Sequence, residues 1–171
     1  MPFVYLSLGS NLGRKESNLK KALREMKTRN FWIKQVSSVY KTEPVGKTDQ
    51  AWFFNMCAIV DTRYPPDILL NKLQEIELAC GRDRSQEREK WGPRTIDIDI
   101  LFFEDVILDT PNLKIPHPLM HERRFVLVPL NEIAPLFTHP VLKKTVHRLL
   151  MECPDASIVE PFSRMALKKN Y

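Results

Sequence analysis

Asp97 and Asp99 stand two residues apart in the run Trp91-Gly92-Pro93-Arg94-Thr95-Ile96-Asp97-Ile98-Asp99-Ile100, where they alternate with isoleucines. Side chains of a strand point to opposite faces with period two. The run is therefore expected to open as a tight turn and continue as a strand, with both carboxylates on one face and the isoleucines in a core on the other. A rise of about 3.3 Å per residue sets the two acidic Cα atoms about 6.5–7 Å apart. Carboxylates so spaced can converge on one divalent ion or bridge two, and Mg²⁺ takes such oxygen ligands while keeping phosphate oxygens in its shell. The plain alternative is the solvent face of an antiparallel sheet. Against it, Asp is depleted in strands, and the Trp, the Gly-Pro turn and the Arg just before are types suited to stacking and anion recognition.

Other positions carry weaker signals. Gly9-Ser10-Asn11-Leu12-Gly13 breaks an apolar run and suggests a close loop; it lacks the Gly-x-Gly-x-x-Gly pattern, so a tight connection is preferred to a phosphate cradle. Gly46-Lys47-Thr48 resembles the end of a P-loop, but the required earlier glycine is Lys41, and the reading is rejected. Asn55 interrupts an apolar run beside Phe53. It is read either as a structural hydrogen bond to the adjoining loop or as a partner for a flat, amide-like heterocycle. Gln74 and Glu77 share a helix face, solvated by default and able to meet a ribose or base. Residues 82–90 contain no apolar anchor and are expected to form a mobile surface loop, either merely solvated or an arginine-bearing lid over polyphosphate. His117, fixed between prolines, suits a phosphate or ribose contact, or is a satisfied surface histidine. Arg123, Arg124 and Phe125 crowd together shortly after it.

The elements that must position these residues follow from periodicity. Strands are expected at 3–8, 32–41 and 52–61, and helices at about 15–29 and from Pro65-Pro66-Asp67 onward. Leu19, Ala22, Leu23 and Met26 form the buried stripe of the first helix; Leu69, Leu73, Ile76 and Cys80 form that of the second, which Gly81 stops. After the acidic strand, Leu101-Phe102-Phe103 turns at Glu104-Asp105 into Val106-Ile107-Leu108 as a hairpin. A helix from about 120 to 133 and a last one marked by Leu142, Val146, Leu149 and Leu150 complete the order. The tail beyond about 154 loses periodicity and is expected to be loosely held. The result is an α+β fold with a ferredoxin-like βαββαβ core: an antiparallel sheet with helices packed on one face, plus a hairpin and C-terminal helices. The other face stays open to a ligand, the acidic strand is central or nearly so, and loops 9–13, 42–51 and 82–92 surround one cleft.

Composition bounds the class. The 171 residues suit one domain over 1–171, and 43% hydrophobic with 27% charged residues indicates a globular chain. No apolar run reaches the roughly 18 residues of a membrane span, and the first residues lack a signal peptide's basic region and cleavage site. Cys57, Cys80 and Cys153 fit neither zinc spacing nor a disulfide framework and read as reduced thiols of a cytoplasmic protein. The net charge of +5 fits an anionic ligand without distinguishing nucleotide from nucleic acid.

The run Lys90–Leu101 resembles the signature of the 6-hydroxymethyl-7,8-dihydropterin pyrophosphokinases of folate biosynthesis. Leu8-Gly9-Ser10-Asn11-Leu12-Gly13, Ser37-Ser38-Val39-Tyr40-Lys41-Thr42, Asn55, Glu77 with Gly81-Arg82, and Pro116-His117-Pro118 are similar too, so the likeness covers about 4 to 150. The resemblance implies a monomer that moves pyrophosphate from ATP to the pterin hydroxymethyl group and releases AMP, with no nucleic-acid or membrane partner. Carried over by position, Asp97 and Asp99 hold two Mg²⁺ ions. Thr42, Pro44, Val45, Phe53, Asn55, Trp91 and Phe125, with Asp97, form the pterin pocket. Gln74, Glu77, Arg84, Trp91, Arg94, Ile100, His117 and Arg123 surround ATP, while Arg82, on the lid, and Arg94, beside the strand, stabilise developing charge. Glu43 stands where the family often has proline, Phe53 where it often has tyrosine, and Pro118 where tyrosine is frequent. Two readings from the residues compete: another Mg²⁺-dependent nucleotide transferase or phosphohydrolase, and an RNA-recognition module sharing βαββαβ. The second lacks the aromatic motif of such domains.

Overall fold

The computed structural model describes residues 1–86 and 92–165. Trp91, expected in both substrate sites, and residues 87–90 of the expected loop lie outside the described residues. The elements in chain order are β1 (Phe3–Ser10), α1 (Lys15–Thr28), β2 (Trp32–Val36), β3 (Val39–Thr42), β4 (Phe53–Asp61), α2 (Pro66–Ala79), β5 (Asp97–Phe103), β6 (Leu108–Asp109), β7 (Lys114–Ile115), α3 (Arg124–Ile133), α4 (Val146–Met151) and β8 (Val159–Ser163). None of the described helices is long and apolar enough to cross a membrane.

The main sheet is antiparallel with the order β5-β1-β4-β3-β8, and β2 pairs with β4 beside β3. This is the βαββαβ order with its second strand broken in two. The break falls at Ser37, whose N–H donates to the Cys57 carbonyl (2.9 Å) and whose hydroxyl accepts from the Cys57 N–H (2.9 Å). One face of the sheet packs on α1 and α2. Leu19, Ala22 and Met26 of α1, with Leu69 and Ile76 of α2, are wholly buried there against Leu6 and Leu8. Gly81 ends the second helix with φ +96°, a conformation that glycine adopts without a Cβ penalty. On the other face α3 and α4 cover one part, with Leu127, Leu130 and Val146 over Tyr5 and Phe102. The rest of that face is open.

The structure departs from the sequence reading at five places. First, β5 is not central: it lies at the edge, paired with β1 alone among the described strands. Its outer backbone groups are met from elsewhere, the Ile98 N–H by the Glu77 carboxylate (2.8 Å) and the Leu101 carbonyl by the His117 N–H (3.0 Å). An edge strand closed in this way does not need a further neighbour. Second, the hairpin is displaced. Chain reversal follows Phe103, yet β6 pairs with β7 rather than with β5. Third, the helix expected from about 120 begins as a 3₁₀ turn, Met120–Glu122, and restarts at Arg124. Arg123 lies between them in extended conformation, φ −118° and ψ 102°. Fourth, the last helix is short and excludes Leu142, being capped by Thr145, whose hydroxyl accepts from the Arg148 N–H (3.2 Å). Fifth, Val159–Ser163, within the segment expected to be loosely held, forms a strand. β8 adds to β3 with Val159 opposite Thr42, and Phe162 packs on Phe54 with ring centroids 4.2 Å apart.

Where β2 gives way to β3, Glu132 of α3 closes the gap. Its carboxylate accepts from the Ser38 N–H (3.0 Å), the Ser38 hydroxyl (3.0 Å) and the Tyr40 hydroxyl (2.8 Å). Burial, and then this carboxylate, push the Tyr40 phenol up to about 12. Glu132→Ala should cost about 1–2 kcal/mol, since one acceptor serves several donors. Tyr40 should then titrate closer to the ordinary phenol value. Urea unfolding and ultraviolet titration would read the two effects, and an unmoved Tyr40 would count against the contact.

Candidate active site

β5 places Asp97 and Asp99 on the open face because Ile96, Ile98 and Ile100 are drawn into the core beneath the sheet. Register extends the site into β1, where Ser7 lies opposite Asp99 and Gly9 opposite Asp97. On its other side Gly9 faces Asn55 of β4. A Cβ on Gly9 would sit 2.5 Å from the Asn55 Oδ1, so the close approach demands glycine. These residues floor a cavity of about 310 Å³.

One wall is cationic: Arg82, Arg84, Arg94 and Arg123 all line it. Asp97 is held by two of them, the Arg82 Nη1 donating to Oδ1 (2.5 Å) and the Arg94 Nη1 to Oδ2 (2.8 Å). Burial alone would raise the Asp97 pKa, but Arg94 and Arg82 outweigh it and keep the carboxyl below its ordinary range. Asp99 goes the other way. Burial, then the charge on Asp97, push it up to about 7. Among the described residues no hydrogen bond or ion pair holds its carboxylate.

Behind this wall stands Glu77, with only 1% of its side chain exposed. Its Oε1 accepts from the Ile98 N–H and the Arg82 Nη1 (3.0 Å), and its Oε2 from the Arg84 Nη2 (2.5 Å). Burial raises the Glu77 pKa against the opposing pull of Arg82 and Arg84. Arg82 therefore does not ride on a mobile lid. It is buried and also donates to the Ile96 carbonyl (3.2 Å). Its anchor is ionic, so the lack of apolar residues in 82–90 did not reveal it. Arg84 is half exposed and starts a 3₁₀ turn, Arg84–Gln86.

The opposite wall is aromatic and amide-like. Phe53, Asn55, Thr42 and Val45 line it, Phe125 lines the cavity from α3, and the Asn55 Nδ2 donates to the Thr42 hydroxyl (2.7 Å). His117 also faces the cavity. Burial, then Arg123, lower its pKa to about 4, so the ring is neutral near pH 7. Its Nδ1 accepts from the Leu119 N–H (3.2 Å), which leaves the proton on Nε2 as a donor.

Asn11 gathers the loops. It donates through Nδ2 to the Gln50 Oε1 (2.9 Å) and the Ala51 carbonyl (3.1 Å), and accepts at Oδ1 from the Arg94 N–H (2.8 Å). The glycine-rich connection is thus a tie between the 42–51 and 92–95 segments.

Several expected contacts are not in the cavity lining. Gln74 is exposed on α2 outside it, Ile100 is in the core, Pro44 is buried beside it, and Glu77 acts from behind. Trp91 falls outside the described residues. Four lining residues were not among the expected site contacts: Ser7, Gly9, Glu43 and Gln50. For Ser7 and Gly9 the signal was present, as small residues at alternate positions of an otherwise apolar strand.

The family model for 7,8-dihydro-6-hydroxymethylpterin-pyrophosphokinase (HPPK) matches residues 5–135. The chain is 38% identical over 162 residues to a 2-amino-4-hydroxy-6-hydroxymethyldihydropteridine pyrophosphokinase of Aquifex aeolicus, covering 95% of this chain and 96% of the relative. It is 41% identical over 152 residues to the folic acid synthesis protein FOL1 of Dictyostelium discoideum, covering 89% of this chain and only 22% of that protein. A crystal structure of HPPK-DHPS from Plasmodium falciparum shares the fold, with a TM-score of 0.66 at 19% identity, covering 89% of this chain and 43% of the other. The match over most of the chain, together with near full-length identity to a pyrophosphokinase, establishes that the chain belongs to the 7,8-dihydro-6-hydroxymethylpterin-pyrophosphokinase family.

Proposed function

We propose that this cavity is where the family's reaction, pyrophosphate transfer from ATP to 6-hydroxymethyl-7,8-dihydropterin, takes place in this chain. The observation that carries the proposal is the meeting of an acidic pair, four arginines and an amide-aromatic wall in one space. The pterin ring lies between Phe53 and Phe125, with its amide edge toward Asn55. The triphosphate lies along Arg84, Arg94 and Arg123, with the neutral His117 as a further donor. The hydroxymethyl oxygen attacks the β-phosphorus and gives up its proton to solvent, the bond from that phosphorus to the oxygen bridging the α-phosphate breaks, and AMP leaves with the electron pair. Such transfers depend on positioning and charge stabilisation more than on covalent chemistry. Arg94 meets the charge that develops on the transferred group. Arg82 holds Asp97 in place and adds its own charge from below. Asp97, stabilised as an anion, is a poor proton acceptor, so it orients rather than deprotonates the hydroxyl.

The acidic pair fits divalent metal. Asp99 has an uncommitted carboxylate facing the cavity, and each Asp97 oxygen keeps a second lone pair beyond its arginine. Asp97 and Asp99 would hold Mg²⁺, which when bound supplies positive charge to the phosphate oxygens.

Asp97→Ala and Asp99→Ala should each cut AMP formation by about a thousandfold or more, as loss of several kcal/mol of charge stabilisation implies. Circular dichroism should still report a folded chain, and undiminished turnover in either variant would refute the assignment. Arg82→Ala should lose about 3–5 kcal/mol of folding stability, because Glu77 stays buried with its charge less compensated. Its kcat should fall as well, and a stability equal to wild type would show that the buried bridge is not as described.

The pH dependence follows from Asp99. In the metal-free protein its folded pKa lies above its unfolded one, so its proton supports folding fully at low pH. That support is lost as pH rises from the ordinary carboxylate range through about 7. Urea unfolding without metal should therefore find Asp99→Asn gaining on wild type from about pH 5 to about pH 8. Mg²⁺ affinity should climb toward pH 7 and level off above it, and a flat profile in calorimetry would contradict the shift.

A further inference from the structure

The segment 155–158 crosses from one wall of the cavity to the other, beyond the residues matched by the family model. At one end the Asp155 carboxylate meets the start of α3. Its Oδ2 accepts from the Arg124 N–H (2.9 Å), and its Oδ1 from the Ser157 N–H (2.9 Å). Arg123 and Phe125, on either side of Arg124, both line the cavity. At the other end Ile158 is bracketed by Glu43. The Glu43 N–H donates to the Ile158 carbonyl (3.1 Å), and the Glu43 Oε2 accepts from the Ile158 N–H (2.6 Å). Glu43, with its neighbour Thr42, lines the facing wall. β8 then continues along β3 and ends with Phe162 against Phe54 and the Ser163 hydroxyl donating to the Glu16 carboxylate (3.2 Å).

The geometry has a direct consequence. Three residue steps reach at most about 10–11 Å. The start of α3 and the end of β3 are therefore tied by a tether whose backbone spans no more than that, hydrogen-bonded at both ends. α3 carries Phe125, and β3 carries Thr42, the partner of Asn55. A helix start has free N–H groups, and an aspartate there satisfies one of them while favouring the dipole. Without Asp155 the Arg124 N–H loses this acceptor and the tether its hold on α3. Arg82, Arg84 and Arg94 lie elsewhere, secured by Glu77 and Asp97.

We infer that residues 155–158 form a strap that sets the gap between Phe125 and the Thr42–Asn55 wall, with Asp155 as a positioning residue for the acceptor substrate. Its consequence for catalysis rests on the functional reading above; the mechanical coupling does not. Asp155 is not among the lining residues and acts through the start of α3.

The test uses the full chain with Asp155→Ala and Asp155→Asn. Hydrogen exchange is read at the Glu43 and Arg124 amides, and steady-state kinetics with each substrate varied in turn. In the alanine variant both amides should exchange about tenfold faster. The KM for the pterin should rise about fivefold or more, the KM for ATP should rise less because Arg84 and Arg94 are held elsewhere, and kcat should stay within about twofold. The asparagine variant keeps one acceptor oxygen and should fall between alanine and wild type, which keeps the question open to decision if the alanine variant folds poorly. An unchanged Glu43 amide would overturn the strap. So would a parallel loss of kcat and both KM values that tracks the unfolded fraction, the mark of a structural role alone. A wild-type chain that makes no AMP with the pterin would overturn the functional reading alone, and the exchange result would still decide the strap.

Discussion

The site is built around a carboxylate that never reaches it. Glu77 is buried at the end of α2, and an ion in that position costs several kcal/mol unless donors replace its water. The donors come from three places at once: the backbone of β5 at Ile98, and the side chains of Arg82 and Arg84. The same contacts do the work of a neighbouring strand, since the outer edge of β5 is closed where the Ile98 N–H would otherwise be open. Arg82, once fixed by Glu77, carries Asp97 with it. The helix packed under the sheet thereby sets the direction of an acidic side chain on top of it. Asp99 is left without such a partner, and the difference between the two acids begins there.

A second constraint gathers the loops. Asn11 lies where β1 turns toward α1, and its amide bonds to the segments before β4 and before β5. Gly9, two residues earlier, lets the Asn55 side chain come within a distance that any Cβ would forbid. Asn55 in turn engages Thr42. The amide-aromatic wall and the acidic strand are thus held by one short connection at the open end of the central strand pair. A glycine-rich loop can thus shape a cavity through a side-chain amide rather than through its backbone amides.

Much of this was legible in the residues. The alternation of Asp with Ile placed both acids on one face, and the stripes of α1 and α2 placed the helices beneath the other. What escaped has a common cause: it depends on pairing across the chain rather than on local period. Arg82 has no apolar neighbours, so it reads as solvated; its partner is a glutamate on the preceding helix. Val159-Glu160-Pro161-Phe162-Ser163 has no alternating pattern and holds a proline, yet it becomes a strand because the free edge of β3 accepts it. Val106 and Ile107 look like a returning strand. The edge of β5 they would join is occupied instead by the Glu77 carboxylate and the His117 amide. Strand order is likewise silent in periodicity, which explains why β5 was placed too near the centre.

The two acids are alike in sequence and unlike in state, and the charge balance explains why that matters. With His117 neutral, the cavity sets Arg82, Arg84, Arg94 and Arg123 against Asp97, Asp99 and Glu43. The surplus is one positive charge, too little to neutralise a triphosphate, on which charge is spread over several oxygens. Removing the acids would raise the surplus but would fix the cavity as a permanent anion trap. Keeping them, one held ionised by its arginines and one with its pKa pushed up to about 7, leaves the lining close to charge balance. On the functional reading proposed above, divalent ions would supply the missing charge beside the Asp99 carboxylate, which no described residue holds, and their binding would relieve the penalty that lifts its pKa.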